Sequence, residues 1–208
     1  MNTSGDIICG LDEAGRGPLA GSVCAAAVIL PQDFPYDVLN DSKKLSAQAR
    51  EKARLIIYSQ AFAFGIGWAS AAEIDEINIH KAVLLAMKRA FEAMSDTIIG
   101  GAGNDGNNAV EIDDAFIHDC RAIVDGLFVP DIPVPCQALV KADTLVPAVM
   151  AASILAKTSR DRLMGYYGLF YPEYGYEKHK GYPTLAHREA ILRCGPSPIQ
   201  RMSFKIRE

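Results

Sequence analysis

The sequence predicts an α/β fold, in which a mixed five-stranded sheet is flanked by helices and followed by a small C-terminal helical subdomain. Half of the 208 residues are hydrophobic, which is enough for one substantial core. Apolar runs of strand length come first, at 7–11, 23–30 and 61–69, and favour an antiparallel meander. Two further runs, at 122–125 and 137–141, alternate with helical patterns, which makes the sheet a mixed one.

The helices are predicted from capping residues and from the spacing of apolar side chains. Ser46 is a candidate N-cap for a helix that ends near residue 58. A glycine- and asparagine-rich segment at about 100–112 breaks the helical periodicity and predicts an inserted loop. The other predicted helices cover 78–94, 146–167 and 184–193.

Charge is distributed unevenly along the chain. The net charge is -4, but residues 141–208 carry 11 Lys and Arg against 6 Asp and Glu, whereas residues 1–140 carry 10 against 19. A basic C-terminal third could face phosphate groups while acidic residues elsewhere bind metal. Ordinary solvated helix faces would explain the same counts, and charge alone does not separate the two interpretations.

Composition also indicates the compartment. The five cysteines are scattered without a Cys-x-x-Cys pair, and an odd number fits a reducing compartment better than a disulfide framework. The sequence shows no secretory leader and no apolar run of the ~20 residues that a membrane span needs. We therefore expect a soluble cytoplasmic protein that does not bind membranes.

Residues 9–21, with the sequence CGLDEAGRGPLAG, form the most informative segment. Asp12 and Glu13 follow the first predicted strand, and carboxylate oxygens are the ligands that Mg²⁺ prefers. The glycines that follow let the backbone approach a phosphate or sugar closely, beside the guanidinium of Arg16. Metal and phosphate in one loop indicate phosphodiester chemistry. Because neighbouring residues of a strand point to opposite faces, both acids reach one metal site only if the chain turns after Asp12.

Hydrolysis of a phosphodiester by two divalent ions about 4 Å apart requires carboxylates from several strand ends. Asp125 ends the fourth apolar run and Asp143 follows the fifth. The assignment of Asp125 as a metal ligand is open, because Asp-Gly is a common turn dipeptide and other acids lie nearby. Asp143 could instead cap the helix that begins near residue 146. The acids that compete with Asp125 are Asp113, Asp114, Asp119 and Asp131.

The segment DEAGRGP, at 12–18, closely resembles the opening motif of ribonuclease HII, the type 2 ribonuclease H. The resemblance continues in the family's order along nearly the whole chain, and it implies a ribonuclease H-like catalytic domain over 1–168, which includes the insertion, and a C-terminal substrate-binding subdomain over 169–208. The further matching blocks are NDSKKLS at 40–46, IDEIN at 74–78, KAD at 141–143, AASILAK at 151–157 with RD at 160–161, and HKGYPT at 179–184.

The resemblance also implies an activity. An enzyme of this family hydrolyses the RNA strand of RNA–DNA hybrids and nicks duplex DNA on the 5′ side of an embedded ribonucleotide. It does so with Mg²⁺ or Mn²⁺ and leaves 3′-hydroxyl and 5′-phosphate ends. The metal-binding and catalytic residues that this implies are Asp12, Glu13, Asp125 and Asp143. The substrate contacts are Gly15, Arg16, Gly17 and Tyr182 at the ribose, with Lys43 and Lys44 as candidates at backbone phosphates.

Several residues have a structural alternative. Tyr182 could be a half-buried packing residue. Asp161 is interpreted as a structural residue of the helix, either an ion-pair partner or a capping residue, and His179 and His187 are interpreted as surface histidines. Leu127 stands where the family more often has an asparagine, which would remove a polar side chain near the site.

Other interpretations of the whole chain remain open. The C-terminal segment departs from the family pattern and leaves no room for a clamp-binding peptide, so we expect a monomer that binds nucleic acid and not a replication clamp. The sister type, ribonuclease HIII, usually carries an extra N-terminal domain, for which six residues before the first strand leave no room. A non-catalytic binder of nucleotide or hybrid would use residues 15–21 as a phosphate cradle, but their spacing matches neither a P-loop nor a dinucleotide-binding loop.

Overall fold

The computed structural model describes residues 7–40, 42, 45–100 and 119–205. Its strands are β1 (Ile7–Ala14), β2 (Val23–Ile29), β3 (Ala63–Ala69), β4 (Cys120–Asp125) and β5 (Cys136–Leu139). Its helices are α1 (Ala47–Gln60), α2 (Ala71–Ile77), α3 (Ile79–Gly100), α4 (Pro147–Phe170), α5 (Tyr176–His179) and α6 (Leu185–Cys194).

The five strands form one mixed sheet in the order β3-β2-β1-β4-β5. Pairing is antiparallel from β1 through β2 to β3, and parallel from β1 through β4 to β5. The mixed α/β fold predicted from the sequence is therefore confirmed. Since β1, β4 and β5 run in the same direction, their carboxyl ends meet at one edge of the sheet.

Alternating side chains of the sheet build a core on each of its faces. Every residue of β2 is buried. Ala25 and Ala27 belong to the core that contains α3, whereas Ala26 and Val28 belong to the core formed with α1 and α4. The small alanines let helices pack closely on both faces of the central strands.

Three of the predicted helices agree with the structure to within a few residues. Ser46 caps α1 as expected, since its Oγ accepts a hydrogen bond from the Ala49 N–H at 3.1 Å. Helices α4 and α6 begin one residue after their predicted starts, with Val146 and Thr184 as N-cap residues. Helix α4 continues to Phe170, and the domain boundary between residues 168 and 169 stays a prediction.

Helix α2 is missing from the sequence-based prediction, although a capping box marks its start. The Glu73 N–H donates to Ser70 Oγ at 3.1 Å, and the Ser70 N–H donates to Glu73 Oε2 at 2.8 Å. Asn78, with φ near +70°, separates α2 from α3, so the helix predicted from residue 78 begins one residue later. It also runs six residues past its predicted end at 94.

The remaining sequence predictions concern the membrane, the cysteines and the insertion. Within the described residues, no helix combines the length and hydropathy needed to cross a bilayer. All five cysteines are unpaired, which agrees with the absence of a disulfide framework expected from the sequence. Apart from its first residue, the predicted insertion at 100–112 lies outside the described residues.

Candidate active site

Three carboxylates converge at the carboxyl edge of β1, β4 and β5. Asp12 lies in β1, Asp125 is the last residue of β4, and Asp143 lies in a short 3-10 turn after β5. One oxygen from each lies within 4.8 Å of the other two. Lys141, with φ near +63°, turns the chain back, and the Ala142 N–H donates to Asp125 Oδ1 at 2.9 Å. Parallel pairing and this turn therefore bring together acids that are far apart in the sequence.

The structure distinguishes these acids from their competitors. Asp131 is exposed and forms an ion pair with Lys88 at 2.9 Å, and Asp119 lies exposed before β4. Asp143 is buried, and Val146 takes the N-cap position of α4. Asp113 and Asp114 lie outside the described residues.

Glu13 occupies a different position from the other three acids. Strand β1 does not end at residue 11 but continues through Ala14, so Glu13 pairs with Ala25 and points to the opposite face from Asp12. Its Oε1 lies 3.3 Å from Arg16 Nη1. The turn that would aim both acids at one point is absent here, and Glu13 is not part of the three-carboxylate group. It nevertheless lines the same cleft as Asp12 and Asp125.

Burial makes negative charge in this group unfavourable. The pKa of Asp12 is raised well above its usual range, chiefly by burial and then by the neighbouring charge of Glu13. Hydrogen bonds from the Ser153 side chain and from the Glu13 N–H offset part of this effect. Burial also raises the pKa of Glu13, against the opposing effect of Arg16. A divalent cation would relieve the repulsion, and three hard carboxylate donors are the set that suits Mg²⁺ or Mn²⁺.

Ser153 donates a hydrogen bond to Asp12 and is itself paired with Ser42. Ser42 Oγ and Ser153 Oγ lie 2.9 Å apart, and both residues are buried. Ser153 comes from α4, and Ser42 from the loop before α1, so the pair links two distant segments at the acidic group. Both serines lie in segments that resemble the family, and that resemblance was the available signal for a role that residue-level reasoning missed.

Two buried arginines hold the glycine-rich loop after β1. A Cβ atom at Gly15, whose φ is near +103°, would lie 2.1 Å from Arg160 Nε, so this position requires glycine. Arg160 donates to the carbonyl oxygens of Ser22, Ala20 and Lys180. Arg201 is wholly buried, which lowers its pKa to about 9. Its guanidinium donates to the carbonyl oxygens of Gly15, Arg16, Pro18 and Gly21.

The predicted ribose contacts border the cleft that contains Asp12. Tyr182 is 41% exposed, and its Cε1 lies 3.6 Å from the position that a Cβ atom would take at Gly17. Arg16 Nη2 lies 3.2 Å from His80 Nδ1, a neighbour on α3 that the sequence did not suggest. The cleft has a volume of about 430 Å³, and Gly15 also lines it. The glycine-rich loop, Tyr182 and the acids Asp12, Glu13 and Asp125 therefore line one concave surface. Lys43 and Lys44 lie outside the described residues.

The other polar residues are placed as follows. Lys157 lines the cleft and pairs with Asp161 at 2.8 Å, which confirms the structural ion pair predicted for Asp161. The interpretation of His187 as a surface residue is wrong, because its side chain is fully buried. Leu127 lies two residues after Asp125 and is 73% exposed, so an apolar side chain faces solvent where the family more often has an asparagine.

Comparisons with known proteins agree with this geometry. The family model for ribonuclease HII matches residues 9–207. Ribonuclease HII of Treponema denticola is 52% identical over 204 residues, which cover 97% of this chain and 99% of the relative. Ribonuclease HII of Desulforamulus reducens is 43% identical over 196 residues, which cover 94% of this chain and 88% of the relative.

Among solved structures, the PCNA:RNase HII complex from Archaeoglobus fulgidus contains a similar chain. Its TM-score is 0.67 at 26% identity, with 97% of this chain and 96% of that chain covered. Mixed sheet and flanking helices are therefore common to both proteins.

Proposed function

The chain belongs to the ribonuclease HII family and is a metal-dependent ribonuclease H hydrolase, and on this premise we propose the following activity. The enzyme hydrolyses the RNA strand of RNA–DNA hybrids and nicks duplex DNA on the 5′ side of an embedded ribonucleotide. The products carry 3′-hydroxyl and 5′-phosphate ends. The observation that supports this proposal best is the convergence of Asp12, Asp125 and Asp143 beside the cleft that Tyr182 borders.

The proposed metal ligands are Asp12, Glu13, Asp125 and Asp143, with Mg²⁺ or Mn²⁺ in a two-metal-ion arrangement. Ions held there would activate a water molecule, neutralise the phosphate and stabilise the leaving 3′ oxygen. Asp12 and Asp143 are buried, so that water competes little for their oxygens. Glu13 lies on the other face of β1 from Asp12 but lines the same cleft. Its carboxylate forms an ion pair with Arg16.

The proposed ribose reader combines Gly15, Arg16 and Gly17 with Tyr182. A protein distinguishes RNA from DNA through the 2′-hydroxyl group. The position of the Tyr182 ring beside Gly17 supports a contact with the sugar at an RNA–DNA junction, because the exposed ring and the backbone of the loop face the same space. Lys43 and Lys44 remain proposed phosphate contacts.

The proposed setting follows from the substrate. The partner is a nucleic acid duplex, and we propose that a monomer acts on it in the cytoplasm. The proposal includes no replication clamp, although the archaeal relative was solved with PCNA.

The central test is cleavage of a labelled duplex that contains one ribonucleotide, with Mg²⁺, with Mn²⁺ and with a chelator. We expect cleavage with metal only. Asp143→Asn should retain substrate binding while turnover falls by several orders of magnitude, since losing a metal ligand damages the transition state more than the ground state. Activity within about tenfold of the parent would contradict the assignment.

Asp125 needs a matched control, because the sequence alone did not decide which of several neighbouring acids is the metal ligand. Asp125→Asn should lose activity to the same degree as Asp143→Asn. Asp131→Asn removes a nearby acid that is exposed and paired with Lys88, and it should cleave at the parent rate. The reverse result would place the metal site at Asp131.

Tyr182→Ala tests the ribose reader. It should lower cleavage at a single ribonucleotide more than cleavage of a continuous RNA strand, because the enzyme can bind and cut a hybrid at many positions along the RNA. Metal binding measured by calorimetry should stay near the parent value. In the control Arg16→Ala, the loop backbone that belongs to the ribose reader is kept and only the guanidinium is lost. A guanidinium contacts phosphate in either kind of duplex, so binding to all-DNA and ribonucleotide-containing duplexes should weaken alike. An unchanged ratio of the two cleavage rates in Tyr182→Ala would make Tyr182 a packing residue.

A further inference from the structure

The loop that carries Tyr182 has an unusual backbone. Lys180 and Gly181 have φ near +53° and +82°, so two consecutive residues adopt left-handed conformations. Such a conformation disfavours a residue with a Cβ atom such as Lys180, and it persists only where the surroundings hold it in place. Leu19 and Arg160 hold one side, through hydrogen bonds to the carbonyl oxygens of Gly181 and Lys180. The other side is held by two histidines.

His179 fixes the loop through both of its ring nitrogens. Its Nε2 lies 2.7 Å from the carbonyl oxygen of Tyr174, which can only accept, so Nε2 carries the proton. Its Nδ1 then accepts a hydrogen bond from the Gly181 N–H at 3.2 Å. An imidazole that donates from one nitrogen and accepts at the other is neutral. A proton on Nδ1 would remove the acceptor for the Gly181 N–H.

His187 fixes the next residue with the opposite tautomer. Its Nδ1 lies 3.0 Å from the carbonyl oxygen of Tyr182, so here Nδ1 carries the proton. Its Nε2 is buried and has no hydrogen-bond partner in the part of the chain that the structure describes. A charged ring would therefore bury an unpaired N–H group at considerable cost. The ring of His187 is fully buried and serves as a neutral donor.

The two histidines form one packed unit. Their rings are stacked with centroids 4.5 Å apart and an angle of 16° between their planes. The ring of Tyr176 packs edge-on against both, with centroids 5.9 Å from His179 and 5.4 Å from His187. A change in one ring therefore affects the other, and through it the backbone on both sides of Tyr182.

We propose that His179 and His187 are positioning residues for ribose recognition, because as neutral rings in opposite tautomers they set the backbone that places Tyr182 beside Gly17. Neither ring lines the cleft that contains Asp12. The proposal rests on the function proposed above for Tyr182. It extends that function by assigning the preference for an RNA–DNA junction to the stacked histidines as well as to Tyr182 itself.

Two substitutions of His187 test this proposal. In His187→Asn the amide nitrogen stands where Nδ1 stood, so the donor to the Tyr182 carbonyl is kept. In His187→Phe the ring volume is kept and the donor is lost. We expect His187→Phe to lower the ratio of single-ribonucleotide cleavage to hybrid cleavage by about two- to tenfold, the range that corresponds to the net contribution of one hydrogen bond, while His187→Asn stays near the parent. Equal ratios in the two variants would overturn the proposal, since a purely structural role would not separate them.

A second measurement does not depend on cleavage. His179→Gln keeps a donor near the Nε2 position and removes the acceptor for the Gly181 N–H. Exchange of the Gly181 amide hydrogen, followed by NMR, should then be faster than in the parent, and unchanged exchange would overturn the proposal even if His187→Phe fails to fold. If Tyr182→Ala shifts the cleavage ratio and His187→Phe does not, the positioning role fails and the proposed function stands. A third result is faster exchange of the Gly181 amide in His179→Gln together with an unchanged cleavage ratio in Tyr182→Ala. The histidines would then still hold the loop, but Tyr182 would not read the ribose. Both the proposed role of Tyr182 and the recognition role of the histidines would be wrong.

Discussion

At the scale of single residues, Asp12 shows most clearly how the proposed metal site lowers the stability of the metal-free protein. The carboxyl group is 5% exposed and lies near two other acids, so that ionisation without a cation is unfavourable. Because the folded state raises the pKa of Asp12, it binds a proton over a range of pH in which the unfolded chain does not. The contribution of Asp12 to the free energy of unfolding of the metal-free protein therefore falls as pH rises from about 3.8, the ordinary value, through the raised pKa.

Asp12→Asn should therefore stabilise the metal-free protein while abolishing its activity. The amide keeps an oxygen for the Ser153 hydrogen bond and removes the buried charge. For a chain of this size, each kcal/mol gained raises Tm by about 2–4 °C. Thermal unfolding in a chelator at pH 8 measures the effect, and the difference from the parent should shrink as pH is lowered. A lower Tm for the variant at pH 8 would contradict this explanation.

At the scale of elements, the C-terminal segment and α2 together support the glycine-rich loop. Asp75 in α2 accepts hydrogen bonds from the Met202 N–H, the Ser203 N–H and the Ser203 hydroxyl, at 2.8, 2.9 and 2.6 Å. These bonds fix the chain directly after Arg201, whose guanidinium holds the loop carbonyl groups. Asp75 lies in a segment that resembles the family, and the structure gives it a supporting role away from the acidic group.

Asp75→Ala should loosen the C-terminal segment and, through Arg201, the loop. We expect a loss of about 1–3 kcal/mol in the free energy of unfolding, as for hydrogen bonds to a charged group. Cleavage of hybrid and of single-ribonucleotide duplexes should fall, and cleavage of the single-ribonucleotide duplex should fall more, because the loop contains the proposed ribose contacts at residues 15–17. The exposed neighbour Glu76→Ala is the control and should match the parent in thermal unfolding and in both cleavage rates. Unchanged thermal unfolding and unchanged cleavage rates in Asp75→Ala would contradict this supporting role.

At the scale of the whole molecule, the basic character of the C-terminal third serves two purposes. Arg160 and Arg201 are buried and bind loop carbonyl groups, so neither side chain is available to phosphate. Lys157 lines the cleft, where a phosphate contact is possible. The excess of positive charge counted along the sequence therefore overstates the surface that can face nucleic acid.

Removal of residues 101–108, with a short linker in their place, should leave both stability and activity close to the parent. The segment follows α3 in the chain and contains no proposed site residue, and loop closure depends only weakly on length. Urea unfolding and cleavage of the single-ribonucleotide duplex are the measurements. A folded deletion variant without activity would show that the segment contributes to function.

The sequence by itself determined the α/β class and the approximate positions of the strands, because these depend on local patterns of apolar residues and turn formers. It also located Ser46 as a helix cap and Asp161 as an ion-pair partner, both of which involve residues within one turn of helix. The tertiary structure decided which face Glu13 takes, since β1 is extended by pairing of Glu13 and Ala14 with β2. It likewise decided the roles of Arg160, Arg201 and the stacked histidines. The arginines bind carbonyl groups up to 186 residues away, and the histidines face each other only once α5 and α6 are packed together, so no local pattern records these contacts.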